Sequence, residues 1–285
     1  METSAIGHRL AGRFVAGETL DHAVAVTRKI NAEGITVTLD YLGESVSSLE
    51  DAAAARDVYL HALDAIHQHG LQANVSLKLT QFGLDLSYEQ CRANVEQLVS
   101  RAGEIGSFVR IDMESSEYTQ RTLDLAADLA ARYGSVGVVI QAYLRRSRAD
   151  IDRLNAAGTR VRLCKGAYLE AGSVAFEGKE DVDRNYLELA KTLLQNGIYP
   201  AIATHDEQII EAVKRFATEK QISRDRFEFQ MLYGIRRDLQ RKLVKDGWRL
   251  RLYVPFGEAW YPYYMRRMAE RPANLFFVLR NLLRR

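Results

Sequence analysis

The chain has 285 residues, 47% of them hydrophobic, which is enough to bury a large core as one α/β barrel or two ordinary domains. Its 39 Lys and Arg nearly balance 37 Asp and Glu, so the charge of +2 gives no electrostatic reason to expect nucleic acid. Two cysteines, Cys91 and Cys164, are too few for a disulfide framework and suit a reducing compartment.

Residues 1–13 lack the apolar run and small-residue cleavage site of a signal peptide, and no stretch reaches about eighteen apolar residues. A cytoplasmic protein is expected, or one peripheral to the inner face of a membrane. Residues 1–34 are read as a helical arm. Short β-branched or apolar runs then recur at 35–39, 73–79, 108–113, 136–140, 160–164, 201–204, 227–232 and 250–254. Segments with helical spacing lie between them, as in Val58, Leu63 and Ile66, then Val95, Leu98 and Val99, then Leu187, Leu193 and Leu194. Repeated βα units demand parallel strands with right-handed crossovers, and this number of units in 35–285 predicts a closed (β/α)8 barrel. An open doubly wound sheet competes, but the DYLGES segment at 40–45 has neither G-x-G-x-x-G nor a Walker pattern. No linker divides the chain, so 1–285 is expected to form one domain. In the tail, Leu275, Phe276, Leu279, Leu282 and Leu283 form an apolar stripe beside Arg280, Arg284 and Arg285. That stripe predicts a C-terminal helix, either docked on the barrel or lying on a membrane surface.

In such a barrel the active site forms at the C-terminal strand ends. Strand by strand these offer Asp40 and Glu44, Lys78, Asp112 and Glu114, Gln141, Arg162 and Lys165, Thr204 and His205, Gln230 and Tyr233, and Tyr253 followed by Glu258. Any one of them alone reads as a solvated or paired group; together they predict a site. His61, His67 and His69 lack the i, i+4 pairing of helical zinc ligands, so no metal is expected. No G-x-S-x-G surrounds a serine, and neither cysteine has a histidine near it in sequence, which leaves nucleophilic catalysis without an agent. What remains is cationic: Lys78, Arg162, Lys165, Arg266 and Arg267 suit an anionic cofactor and a carboxylate substrate. Redox chemistry with an organic cofactor fits that inventory.

The segments VSLKL at 75–79, VRIDME at 109–114, VIQAY at 139–143, VRLCKGAY at 161–168, ATHD at 203–206, FQMLYG at 229–234, YVPFG at 253–257 and YYMRR at 263–267 resemble the proline dehydrogenase family in order and spacing. The resemblance runs from about residue 35 to about residue 275, and R-x-x-K-G-A-Y combined with Y-x-x-R-R is its most specific part. It implies a monofunctional bacterial-type enzyme that binds FAD and oxidises L-proline to 1-pyrroline-5-carboxylate by hydride transfer from C5 to flavin N5. A quinone-type acceptor would take the electrons, with the membrane surface as its place. By the same resemblance Lys78, Arg266 and Arg267 pair with the substrate carboxylate, while Leu232, Tyr253 and Tyr263 wall the pyrrolidine ring. Arg162 faces flavin N5; Gln141, Lys165, Gly166, Ala167, Tyr168, Thr204 and His205 fall at cofactor positions; and Glu270 supports either the arginines or the cofactor. Asp112 is expected to orient Tyr168 or Lys78, and Glu44 to gate the site by pairing with Arg266. Tyr253 is expected to favour proline over 4-hydroxyproline by crowding a ring hydroxyl.

Each assignment has a plainer reading: Arg266 and Arg267 as the basic face of an amphipathic helix, and the tyrosines as core packing. Two other functions also stay open on the residues alone, a noncatalytic barrel that binds an imino acid and a different flavin barrel resembling methylenetetrahydrofolate reductase. Oligomeric state is not readable.

Overall fold

Residues 12–269 are described by a computed structural model, with side chains through residue 265. Eight parallel strands close into a barrel in sequence order: β1 (Thr36–Tyr41), β2 (Ala73–Leu77), β3 (Val109–Ile111), β4 (Val136–Gln141), β5 (Arg160–Cys164), β6 (Ala201–Ala203), β7 (Glu228–Leu232) and β8 (Leu250–Phe256). The helices are α1 (Leu20–Ala32), α2 (Leu49–Gln68), α3 (Tyr88–Glu104), α4 (Thr119–Tyr133), α5 (Ser147–Ala156), α6 (Lys179–Asn196), α7 (Glu207–Glu219), α8 (Arg237–Lys245) and α9 (Trp260–Ala269). All eight expected strands form. The second ends earlier than its apolar run because Lys78 opens a 3₁₀ turn, Leu79–Phe82. Several helices start where a short polar side chain accepts an otherwise orphaned backbone N–H: Ser48 from Asp51, Ser87 from Gln90, and Asp206 from Gln208 and Ile209.

Side chains alternate across each strand, and this period of two divides the sequence into two populations. The outward set is apolar and buried beneath the helices, for example Val37, Leu39, Val75, Leu77, Val138, Ile140, Val161, Leu163, Phe229 and Met231. The inward set is polar instead of the branched aliphatics that usually fill such barrels. In register it runs Thr38 beside Asn74, Asp40 beside Ser76, Ser76 beside Arg110, and Gln230 beside Arg251. Part of the buried charge here is offset by an acid or by carbonyl and amide oxygens. Arg251 Nε donates to Glu228 Oε1 at 2.7 Å and its Nη1 to Asn74 Oδ1 at 2.9 Å, while Arg110 Nη1 donates to the carbonyl of Arg160 at 2.8 Å.

The helix that covers the β8–β1 seam comes from before the barrel. α1 packs on both β1 and β8, so the helix following β8 is released from that task. Accordingly α9 packs at the strand C-terminal side, in an apolar cluster of Phe14, Val15, Leu42, Ile235, Trp260, Tyr263 and Tyr264. Leu42 directly follows β1 and Ile235 closely follows β7, which sets α9 over that part of the rim. The tail 270–285, with its predicted apolar stripe, lies outside the described residues. Among the described residues no helix is long and apolar enough to cross a membrane.

Candidate active site

A cavity of about 740 Å³ opens at the C-terminal ends of the strands. Lys78, Asp112, Gln141, Arg162, Lys165, Gly166, Ala167, Tyr168, Thr204, His205, Leu232 and Tyr253 all line it. Twelve positions chosen on sequence therefore meet in one space. Tyr263 is buried in the α9 cluster beside Leu232 and does not line the cavity, and Glu44 is solvent-exposed on the segment after β1. Arg266 and Arg267 lie on the backbone of α9, but their side chains, like Glu270 altogether, fall outside the described residues.

Arg162 is the centre of the polar wall. It is 5% exposed; its Nη1 donates to Asp112 Oδ1 at 2.6 Å and to Ser76 Oγ at 3.3 Å, and its Nε donates to Gln230 Oε1 at 2.6 Å. The Gln230 amide has one orientation because its Nε2 donates to Glu228 Oε1 at 2.6 Å, which leaves Oε1 for the guanidinium. Asp112 also accepts from Ser76 Oγ at 2.7 Å and, on its other oxygen, from the Tyr253 hydroxyl at 2.8 Å. The hydrogen bonds of Asp112 go to Arg162, Ser76 and Tyr253, and its charge also acts on Lys78. The Tyr253 ring lies 5.3 Å from the Arg162 guanidinium, and burial raises its phenol well above the ordinary value. Of the Arg162 atoms, Nη2 remains buried without a partner, as does Gln141 Oε1.

Lys78 is fixed by the turn it opens. Buried Glu114 accepts from the backbone N–H of Thr80 at 3.1 Å and from its hydroxyl at 2.6 Å, tying that turn to the end of β3. The ammonium is nearly buried and stands 3.8 Å from Asp40 Oδ1. Burial alone would lower its pKa, but Asp40, then Asp112 and Glu44, outweigh burial and hold it above the ordinary lysine value.

On the other side of the cavity Lys165 bridges Asp183 and Asp206, at 2.5 and 3.0 Å. Thr204 Oγ1 accepts from the Asp206 N–H at 3.0 Å, and His205 Nε2 accepts from the Leu232 N–H at 2.9 Å. An accepting Nε2 puts the imidazole proton on Nδ1. Burial pushes the Cys164 thiol up to about 12, so it is no nucleophile at neutral pH.

Gly166 has a reason to be glycine beyond the close cofactor approach expected from sequence. Its φ is +113°, and a Cβ there would lie 2.1 Å from Cδ1 of Tyr143. Gly166→Ala is expected to cost about 2–6 kcal/mol from combined backbone strain and overpacking. A urea-unfolding midpoint within error of the parent would refute that reason.

Ser76 was not singled out by the sequence reading although it touches both Asp112 and Arg162. The signal was present: Asn74 and Ser76 share one face of β2 by the period of two, and Lys78, extended just after the strand, continues it.

A family model described as proline dehydrogenase matches residues 23–280 of the chain. Proline dehydrogenase 1 of Bacillus subtilis is 43% identical over 282 residues, covering 99% of this chain and 93% of that protein. Proline dehydrogenase of Deinococcus radiodurans is 41% identical over 280 residues, covering 96% and 90%. Among solved structures, proline utilization A from Bdellovibrio bacteriovorus, inactivated by N-propargylglycine, superposes with a TM-score of 0.85 at 29% identity. That match covers 92% of this chain and 32% of the larger protein.

Proposed function

The chain belongs to the proline dehydrogenase family, and from that premise we propose how its barrel, as one domain, oxidises L-proline in the first step of proline catabolism. The observation that carries the reading is the guanidinium of Arg162, clamped on two edges by Asp112 and Gln230 with Nη2 buried and unpartnered at the cavity wall. Together with the unpartnered Gln141 Oε1, it offers one donor and one acceptor, which an isoalloxazine ring can satisfy. The residues fit FAD on this ground, and the cavity falls in the range of cofactor sites. Bound FAD would supply the acceptor for the hydride that leaves C5 of proline.

The chain's own residues bind, orient and neutralise. Lys78 takes the substrate carboxylate, joined by Arg266 and Arg267 from α9, because a fixed anion orients the whole ring. Leu232 and Tyr253 bound the ring, with Tyr263 packed behind Leu232, and Glu44 pairs with Arg266 when the site closes. Lys165, Gly166, Ala167, Tyr168, Thr204, His205 and Glu270 hold the cofactor, with the Lys165 ammonium as a counter-charge to its phosphates. No unengaged base faces the substrate among the described cavity residues, since Asp112 accepts from three side chains and Asp206 is paired with Lys165. The substrate amine therefore loses its proton to solvent, and turnover rises toward alkaline pH. Electrons leave to a quinone-type acceptor. Family membership removes the ground for a noncatalytic imino-acid barrel and for a different flavin barrel.

The test is an assay of the purified protein with L-proline and either a short-chain quinone or NAD⁺, with the product trapped by an aromatic amino-aldehyde. Cyclic imine formed with the quinone alone supports the reading; imine formed only with NAD⁺ overturns it. Specificity gives a second check. Tyr253→Ser is expected to raise kcat/KM for 4-hydroxyproline relative to proline by about tenfold or more, as the ring no longer occupies the space of the hydroxyl. An unchanged ratio would remove Tyr253 as the selector.

A further inference from the structure

Asp40 is a buried acid that the mechanism above does not use. It points into the barrel from β1, is 1% exposed, and neither carboxylate oxygen has a hydrogen-bond partner. A buried carboxylate without hydrogen bonds is costly and calls for a compensating charge. The charges at this end of the barrel divide into two pairs. Asp112 takes Arg162 at 2.6 Å and is further satisfied by the hydroxyls of Ser76 and Tyr253. That leaves Lys78, at 3.8 Å, as the one ion pair of Asp40 among the described residues, and Asp40 as the one ion pair of Lys78.

We propose that Asp40 is a positioning residue: a loose counter-ion that keeps Lys78 charged where its side chain is nearly buried, while leaving its N–H donors for the substrate carboxylate. The inference rests on the reading of Lys78 as a carboxylate ligand. Separation is part of the device. At 3.8 Å the two mostly buried groups attract, yet no ammonium proton is tied up in a short hydrogen bond. An acid in direct contact would compete with the substrate for the same donors. Burial opposes the lysine charge and Asp40 is the largest influence supporting it, ahead of Asp112 and Glu44, with Tyr168 also facing the ammonium. The hydroxyls of Tyr59 from α2 and Tyr253 from β8 face Asp40 without making a full hydrogen bond to it, the Tyr253 hydroxyl favours the carboxylate, and burial holds both phenols well above their ordinary values.

The experiment measures calorimetric binding of cyclopentanecarboxylate to the holoenzyme at about pH 7 and about pH 10. This ligand keeps the ring and the carboxylate but has no amine to titrate. Wild type and Asp40→Asn are compared, so contributions from Glu44, Asp112, Tyr168, Tyr59 and Tyr253 are common to both. Wild-type affinity is expected to be flat from Lys78, whereas Asp40→Asn should lose a further tenfold or more as the pH rises, about tenfold for each unit above the lowered lysine pKa. A role confined to packing would lower stability without creating that pH dependence. Lys78→Met separates the two readings. If it weakens the ligand while Asp40→Asn follows the wild-type profile, the Asp40 proposal fails and the Lys78 reading stands. If Lys78→Met has no effect, the Lys78 reading itself fails. Should Asp40→Asn not fold, the double variant Asp40→Asn/Lys78→Met decides. Its folding supports the counter-ion role, because no unpaired charge remains; its failure to fold overturns that role.

Discussion

Arg162→Lys is expected to lower turnover on L-proline about a hundredfold while KM changes little. The guanidinium fork spans Asp112 and Gln230 at once, both at 2.6 Å, keeps Nη2 buried without a partner, and belongs to the cavity lining. A lysine keeps the charge, but a single ammonium cannot hold three directions in a plane. Removing one preorganised donor from a reacting centre costs about 10²–10³ in kcat. The effect falls on kcat if the substrate carboxylate is held elsewhere, by Lys78 and α9, as proposed above. Steady-state kinetics with a quinone acceptor would read it. A variant that keeps wild-type turnover, or that loses only substrate affinity, would take Arg162 out of the hydride-transfer step.

Lys78→Met carries the second large effect, and it falls on binding. A charge-assisted hydrogen bond is worth about 1.5–3 kcal/mol, so KM should rise about 10- to 100-fold. The same substitution leaves Asp40 buried without its cation. Burial raises the Asp40 carboxyl, with Lys78 opposing the rise, so losing Lys78 raises it further. A folded-state pKa above the unfolded one means that the native protein binds the extra proton. The variant is therefore fully stable at acid pH and loses stability as pH climbs above the ordinary carboxylate range. Thermal denaturation of parent and variant across pH would show the gap widening toward neutral; a gap that narrows would contradict the charge assignment.

Much of this architecture was legible in the sequence because each strand encodes one apolar face. Val75 and Leu77, or Val161 and Leu163, mark strands that helices must cover, and their recurrence counts the barrel. The strand-end polar groups were visible for the complementary reason, since Lys78, Asp112 and Arg162 interrupt otherwise apolar runs. Hidden from that reading were relations between strands. Nothing in the spacing of VRIDME tells that Asp112 turns to Arg162 and Tyr253, because those partners are 50 and 141 residues away. The buried chain from Arg162 through Gln230 and Glu228 to Arg251 is likewise a product of barrel closure. α1 could not be identified from its own pattern as the cover of the β8–β1 seam, because an amphipathic helix names no partner. That substitution frees α9 to lie at the rim beside Leu42 and Ile235, carrying the backbone of Arg266 and Arg267 to the end of the barrel where the cavity opens.

The central claim, that this cavity holds a flavin reduced by L-proline, is tested most directly by the absorbance spectrum of the purified protein, taken anaerobically before and after L-proline is added. Flavin bands that bleach with proline and do not bleach with NADH are expected. A protein that takes up no FAD, or whose flavin stays oxidised in the presence of proline, would contradict it.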